Sequence, residues 1–295
     1  MSYLYPTLCD RDIYLAFIHR SMKNKVSLTI DKELLREAKS MVDGLQIRNT
    51  SQAIEWLLRR SLKDRRTAVI LAGGNHKRLV TAGQYRPLLD VGGQTLIEDN
   101  IDRIRRWFTN VLVVGQNPVV SAIFQKLGDG SSHGVKISYI EETAALGTAK
   151  TLQLAQSYLS STFLFMPCDH WFDFDIGELA KFHAQHDSAA TLAVFQKTNF
   201  NWPVAVVEMD GSRITNYEEH PRRPSSHLRS MLIGCAEPGL FGLVPNGRVN
   251  WNLQERVFPK LAHEGRLLGY PVSGNWVNIS SPRDLKLIKK LRREG

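Results

Sequence analysis

Along Lys25-Val26-Ser27-Leu28-Thr29-Ile30 polar and apolar residues alternate, the period of a half-buried strand. Asp31 follows as an N-cap, and Leu34, Leu35, Ala38, Met41 and Val42 recur at helical spacing up to Gly44, a C-cap. After the link Leu45–Arg48, the residues Asn49, Thr50 and Ser51 can each cap a second helix. Its apolar face is Ala53, Ile54, Leu57, Leu58 and Leu62, and Lys63-Asp64-Arg65-Arg66 is a polar seam that marks a domain boundary. Residues 1–22 show no clean period, and Met22 is a candidate start just ahead of the patterned segment.

From Thr67 the pattern changes. Apolar runs at 68–72, 111–114, 135–140, 163–166 and 190–195 alternate with helical patterns at 96–108, 118–127, 147–159 and 176–186. Such alternation predicts an α/β domain with a mixed, mainly parallel sheet covered on both faces. Segments 203–217 and 230–244 read as β-rich excursions, and helices near 250–264 and 282–293 close the chain. His220–Ser230 reads as a polar loop. The expected organisation is an extension at 1–22, a small module at 23–66 and a larger domain at 67–295.

Composition narrows the possibilities. With 43% apolar and 23% charged residues over 295 positions the chain is neither disordered nor membrane-like, and no apolar run is long enough to span a bilayer. The first residues carry charges inside their apolar stretch and lack a small-residue cleavage site, unlike a secretory signal. Cys9, Cys168 and Cys235 make no disulfide framework and no zinc spacing, which points to a reducing, cytoplasmic setting. Of the formal charge of +9, residues 1–66 carry +5, so the basic excess sits at the front, where it can attract a polyanion.

A lone six-residue strand leaves its backbone groups unpaired, and two short helices bury little core; pairing with the same strand of a second chain answers both needs. That requirement and the strand–helix–turn–helix order resemble the ribbon-helix-helix DNA-binding family, which includes the MetJ and Arc repressors. The resemblance covers residues 23–63 and implies a homodimer or higher homo-oligomer whose paired ribbon enters the DNA major groove. Lys25, Ser27 and Thr29 would then face the bases, and Asn49, Thr50 and Ser51 would hold a backbone phosphate at the start of the second helix. Val26, Leu28 and Ile30 would face the core.

In the larger domain the first strand runs into Leu71-Ala72-Gly73-Gly74-Asn75-His76-Lys77-Arg78-Leu79, a glycine turn that lets backbone N–H groups approach phosphates. Tyr85-Arg86-Pro87-Leu88-Leu89 adds a cation. Glu141-Glu142, then Leu146-Gly147-Thr148-Ala149, follow a later strand. Met166-Pro167-Cys168-Asp169 puts a carboxylate at a strand end, and Trp276-Val277-Asn278-Ile279 lies near the C-terminus. Taken in order, these motifs resemble the sugar-phosphate nucleotidyltransferase (NDP-sugar pyrophosphorylase) family over 67–295. The resemblance implies a Rossmann-like fold and joining of a nucleoside triphosphate to a sugar 1-phosphate, with release of pyrophosphate and with Mg²⁺ as cofactor.

By matching position the resemblance implies that Ala72, Gly73 and Gly74 cradle the nucleotide, Arg78 and Arg86 hold phosphate charge, and Gly147 and Thr148 line the base or sugar pocket. It implies Asp169 and Asn278 as metal ligands and Glu219 as a sugar ligand. Four features depart from the family pattern. His76 and Lys77 stand for a glycine and a threonine, Arg86 for a lysine, His220 for a lysine and Asn278 for an aspartate. The Asp169-His170 pair resembles that of mannose 1-phosphate guanylyltransferases and points to GTP. His183 and His186, three apart on a helical pattern, read as structural rather than metal-binding. Three functions are compatible: a transferase on a DNA-binding dimer, possessing its own regulation; a regulator whose transferase domain senses a nucleotide or sugar nucleotide; and an enzyme whose front module only dimerises.

Overall fold

The computed structural model describes residues 27–44, 47–64, 66–196 and 205–294. The chain divides into two compact units, Met1–Leu57 and Leu58–Gly295. In the first, helix α1 (Lys32–Ser40) starts at Asp31, whose carboxylate accepts the N–H groups of Glu33 and Leu34, and helix α2 (Thr50–Asp64) continues past the division. Asn49 accepts the Gln52 N–H at 3.0 Å while the Gln52 side chain accepts the Arg48 N–H, a reciprocal cap that fixes where α2 begins. Lys25 and Val26, two of the six residues of the expected ribbon's core-and-base pattern, lie outside the described residues. Ser27–Ile30, expected as a strand, join no β-ladder among the described residues. Ala53 is buried as expected, but Leu57 and Leu58 are exposed: α2 presents part of its apolar stripe to solvent.

The second unit is built on strands β1 (Thr67–Ala72), β2 (Val80–Thr81), β3 (Gln84–Tyr85), β4 (Asn110–Gly115), β5 (Lys136–Glu141), β6 (Phe163–Pro167) and β7 (His170–Phe172). These are followed by β8 (Ala190–Gln196), β9 (Ala205–Asp210), β10 (Arg213–Glu218), β11 (Leu228–Ala236), β12 (Leu267–Pro271) and β13 (Trp276–Asn278). Nine of them form one sheet in the order β5-β4-β1-β6-β11-β8-β12-β10-β9. The strands β5, β4, β1 and β6 are mutually parallel, as are β8 and β12, while β11 runs antiparallel between the two groups. Helices α3 (Leu96–Ile104), α4 (Asn117–Leu127), α5 (Thr148–Gln153), α6 (Ile176–Ala184), α7 (Phe258–His263) and α8 (Pro282–Glu294) complete it.

Because successive strand residues point to opposite faces, β1 feeds two cores. Val69 and Leu71 pack in one with Ala149, Leu152 and Phe258, whereas Ala68 and Ile70 pack in the other with Ile97, Ile101 and Ile123. Two details differ from the sequence expectation. Leu228–Ser230, read as loop, begins β11, and that strand ends at Ala236, where Pro238–Leu243 turns into a 3₁₀ helix. A two-stranded ribbon of β7 and β13 stands apart from the main sheet and joins segments more than a hundred residues apart in sequence.

Candidate functional site

The site is assembled where β1, β5 and β6 end. After Ala72 the chain passes so close to its neighbours that a Cβ on Gly73 would lie 2.9 Å from Glu142 Oε2 and on top of Thr151. Gly74 adopts φ +84° and donates its N–H to Glu142 Oε2 at 2.7 Å. The other Glu142 oxygen accepts the Thr151 hydroxyl at 2.5 Å. Glu142 is therefore a buried strut, 3% exposed, that shapes the glycine loop, whereas only Glu141 remains on the surface. No local pattern separates the two, since adjacent glutamates at a strand end differ only in which face they meet.

Beyond the glycines, Asn75 caps the turn His76–Leu79 by accepting the Lys77 N–H. His76 is reshaped into this turn: its N–H reaches Gln116 Oε1 at 3.3 Å and its Nδ1 lies 3.2 Å from the Tyr85 hydroxyl. Arg78 is solvent-exposed on the same turn. Arg86 follows β3, donating from Nε to Thr81 Oγ1 at 3.1 Å and from Nη1 to Asp169 Oδ2 at 3.0 Å. The Thr81 contact orients the guanidinium, and nothing in the sequence marked that threonine.

Asp169 sits between β6 and β7, and its carbonyl accepts the Ile279 N–H at 3.0 Å. In the β7–β13 ladder His170 faces Asn278, so residues assigned from opposite ends of the domain become neighbours. The buried Asn100 amide donates to the His170 carbonyl at 3.0 Å and pins the ribbon to α3. Asn278 Oδ1 is buried with no hydrogen-bond partner, a cost seldom left uncompensated. A carboxylate just ahead of the ribbon and an amide oxygen on it are donor types that suit a hard divalent cation, with less charge than two carboxylates. Among the described residues no group of three or more His, Cys, Asp or Glu could hold a metal.

A cavity of about 310 Å³ opens beside this ribbon, lined by His170, Trp276, Asn278, Tyr217, Glu219 and Gln254 among others. It thus joins Glu219 to Asn278, two of the predicted ligands. Burial pushes the Glu219 carboxyl up, opposed by His220, whose Nε2 lies 3.3 Å from Glu219 Oε1. The Tyr217 hydroxyl donates to Glu219 Oε2 at 3.4 Å, and burial holds the phenol well above its usual range. Burial draws the His170 imidazole down to about 4, with Asp169 opposing and Arg86 reinforcing the shift. Cys168, buried beside Asp169, has its thiol pushed well above the usual value and is no nucleophile.

Gly147 and Thr148 go elsewhere. Gly147, at φ +97°, is wedged against Trp251 and Asn252, and the Thr148 hydroxyl donates to Gln254 Oε1 at 2.7 Å and accepts the Leu253 N–H. Neither lines the cavity; Thr148 touches it through Gln254. His183 is buried between Thr191 and Glu237, and His186 stacks on Phe182, so the pair shares no ligand geometry.

Residues 67–284 match the family model described as Nucleotidyl transferase, and the chain belongs to that family. Among curated relatives it is 27% identical over 225 residues to the "Probable mannose-1-phosphate guanylyltransferase 1" of Oryza sativa subsp. japonica, covering 74% of this chain and 62% of the relative. It is 24% identical over 224 residues to the mannose-1-phosphate guanylyltransferase catalytic subunit beta of Xenopus tropicalis, with the same two coverages. The matched region thus spans less than two thirds of these relatives. Among solved structures, a Bacillus anthracis chain assigned as a glucose-1-phosphate thymidylyltransferase, in complex with sucrose, superposes with a TM-score of 0.71. That likeness covers 78% of this chain and 96% of the other at 21% identity, and it is one of fold.

Proposed function

We propose that residues 67–295 carry out nucleotidyl transfer to a sugar 1-phosphate, giving an NDP-sugar and pyrophosphate. The observation that supports this reading is the buried Asn278 oxygen, without a partner among the described residues, on the ribbon that Asp169 directly precedes, beside a cavity lined by Glu219. The Gly73–Gly74 loop offers close backbone approach to the triphosphate, and Arg78 and Arg86 supply positive charge to it. Asp169 and Asn278 would hold a divalent cation such as Mg²⁺, which would supply neutralisation of phosphate charge. A sugar-phosphate oxygen attacks the α-phosphorus in line, its new P–O bond replacing the bond to the departing pyrophosphate. Ala72 closes the floor of the nucleotide loop, and Gly147 and Thr148 act by fixing the 250–254 segment at the cavity edge. The likeness to mannose-1-phosphate guanylyltransferases favours GTP and mannose 1-phosphate as the first pair to try.

We also propose that residues 23–66 form a ribbon-helix-helix homodimer that reads DNA through Lys25, Ser27 and Thr29, with a phosphate at Asn49–Ser51. Supporting it are the exposed Ser27 and Thr29, the capped start of α2 and the exposed leucines of a single chain. No helix among the described residues is long and apolar enough to cross a membrane, and the buried, unpaired Cys168 and Cys235 suit a cytoplasmic setting. The test is chromatographic detection of sugar nucleotide after incubation with Mg²⁺, each of four nucleoside triphosphates and a panel of sugar 1-phosphates. One productive pair is expected. No product from any pair contradicts the transferase reading and favours a ligand-sensing domain.

A further inference from the structure

The β7–β13 ribbon has one face that carries His170, Phe172, Trp276 and Asn278, because cross-strand pairs His170–Asn278 and Phe172–Trp276 alternate with the pleat. Three of these four line the cavity. On that face the Trp276 indole N–H points at His170 Nδ1 over 3.3 Å, and the two rings meet edge to face with centroids 5.1 Å apart. An indole nitrogen can only donate, so Nδ1 must accept and cannot carry the ring's proton. The proton of the neutral imidazole then resides on Nε2. Among the described residues Nε2 has no hydrogen-bond partner. Trp276 packs against Phe195, 5.4 Å away between centroids, Asn100 holds the His170 backbone, and His170 is buried against the Trp276 ring.

We propose that His170 is a fixed N–H donor to a ring hydroxyl of the sugar, that Trp276 sets its tautomer, and that the pair determines which sugar 1-phosphate is accepted. This rests on the nucleotidyltransferase reading of the same site. The cavity's own chemistry selects a hydroxyl over a phosphate. Its polar lining includes the Glu219 carboxyl, the Tyr217 hydroxyl and the Gln254 amide, with no lysine or arginine among the described residues. A hydroxyl, both donor and acceptor, satisfies an N–H on one side and a carboxylate on another, whereas an anion there has no cation to meet. A site built to hydrogen-bond a hydroxyl discriminates steeply, because a sugar that misplaces it leaves a desolvated donor unpaired.

The test compares wild type with His170→Phe, His170→Gln and Trp276→Phe, by calorimetric titration with mannose 1-phosphate, glucose 1-phosphate and GTP and by steady-state turnover. His170→Phe should weaken the preferred sugar phosphate at least about 10-fold and narrow the preference between the two sugars, with GTP affinity within about 2-fold. His170→Gln, whose amide nitrogen approximates Nε2, should recover most of that loss. Trp276→Phe keeps the ring packing and should cost about 3-fold on the sugar alone. Nitrogen-15 NMR of the wild-type imidazole should show Nε2 protonated, with the other tautomer appearing in Trp276→Phe. Equal weakening of GTP and sugar, unchanged sugar affinity in His170→Phe, or a wild-type ring protonated at Nδ1 would overturn the proposal. Its failure is separable from that of the transferase reading. Wild-type turnover with an unmoved sugar KM in His170→Phe removes the donor and keeps the enzyme. Absent turnover with a sugar affinity that still tracks His170 removes the enzyme and keeps the donor.

Discussion

In β1 every residue after Thr67 is buried, whereas in the front unit Leu28 and Leu34 are each 60% exposed and, among the described residues, the buried apolar side chains are Ala38 and Ala53. The transferase domain spends its apolar residues within one chain: alternate residues of β1 enter separate cores on the two sides of the sheet, which position the loops at its edge. The front unit leaves large apolar side chains in water, and its extended segment joins no ladder. The difference teaches that the larger unit buries its apolar residues within one chain, whereas Leu28 and Leu34 of the front unit stay uncovered among the described residues, the surface that the proposed homodimer would bury. Burying a leucine is worth about 1.5–3 kcal/mol, so a few such residues supply a real driving force for a second copy.

The largest effect expected is on that association. Leu28→Asp should convert a dimer to a monomer at micromolar concentration by light scattering, a shift of at least about 100-fold in the dimer dissociation constant. A monomeric wild type would break the comparison at once. Next, Asn278→Asp should lower the Mg²⁺ concentration for half-maximal turnover by about 10-fold, because a carboxylate adds charge where an amide oxygen now stands. An unchanged Mg²⁺ dependence would place the cation elsewhere. Smaller is the effect of Lys25→Ala, which should weaken DNA binding severalfold and reduce the salt dependence of binding by about one counterion. Salt-independent binding would remove the groove-reading role.

The smallest effect lies in the transferase core. His183 is buried, and burial lowers its imidazole from the ordinary value, with Glu237 opposing. Its neutral form is thus favoured in the folded state. The stability it contributes is full above the unfolded value of about 6.5 and is lost as pH falls through the folded pKa. Thermal unfolding midpoints should decline from pH 7 to pH 5 in the wild type and more shallowly in His183→Gln. Equal slopes would assign the decline to other groups.

Much of the larger domain was legible because its apolar runs and helical stripes have one period each: the strands at 67–72, 110–115 and 163–167 stand within a residue or so of where the alternation puts them. Local capping was readable too, since Asp31 and Asn49 act on residues two or three positions on. What sequence could not show were the contacts made by closure over long separations. The β7–β13 pairing joins His170 to Asn278, and only that pairing makes Trp276 a partner of the histidine rather than packing beneath it. Glu142 was equally hidden, because its role depends on Gly74, 68 residues away. The exposure of Leu57 and Leu58 has a different origin: a helical stripe says that a face is apolar and not which chain covers it.

The most direct test of the central claim is Mg²⁺-dependent pyrophosphate release by the full chain, measured for wild type and Asp169→Asn with GTP and mannose 1-phosphate first and then with the remaining pairs. The ion pair to Arg86 and the place of Asp169 beside the cavity-lining ribbon predict release with one pair and a loss of at least about 100-fold in the variant. Release that survives intact in Asp169→Asn, or no release from any pair, would contradict it.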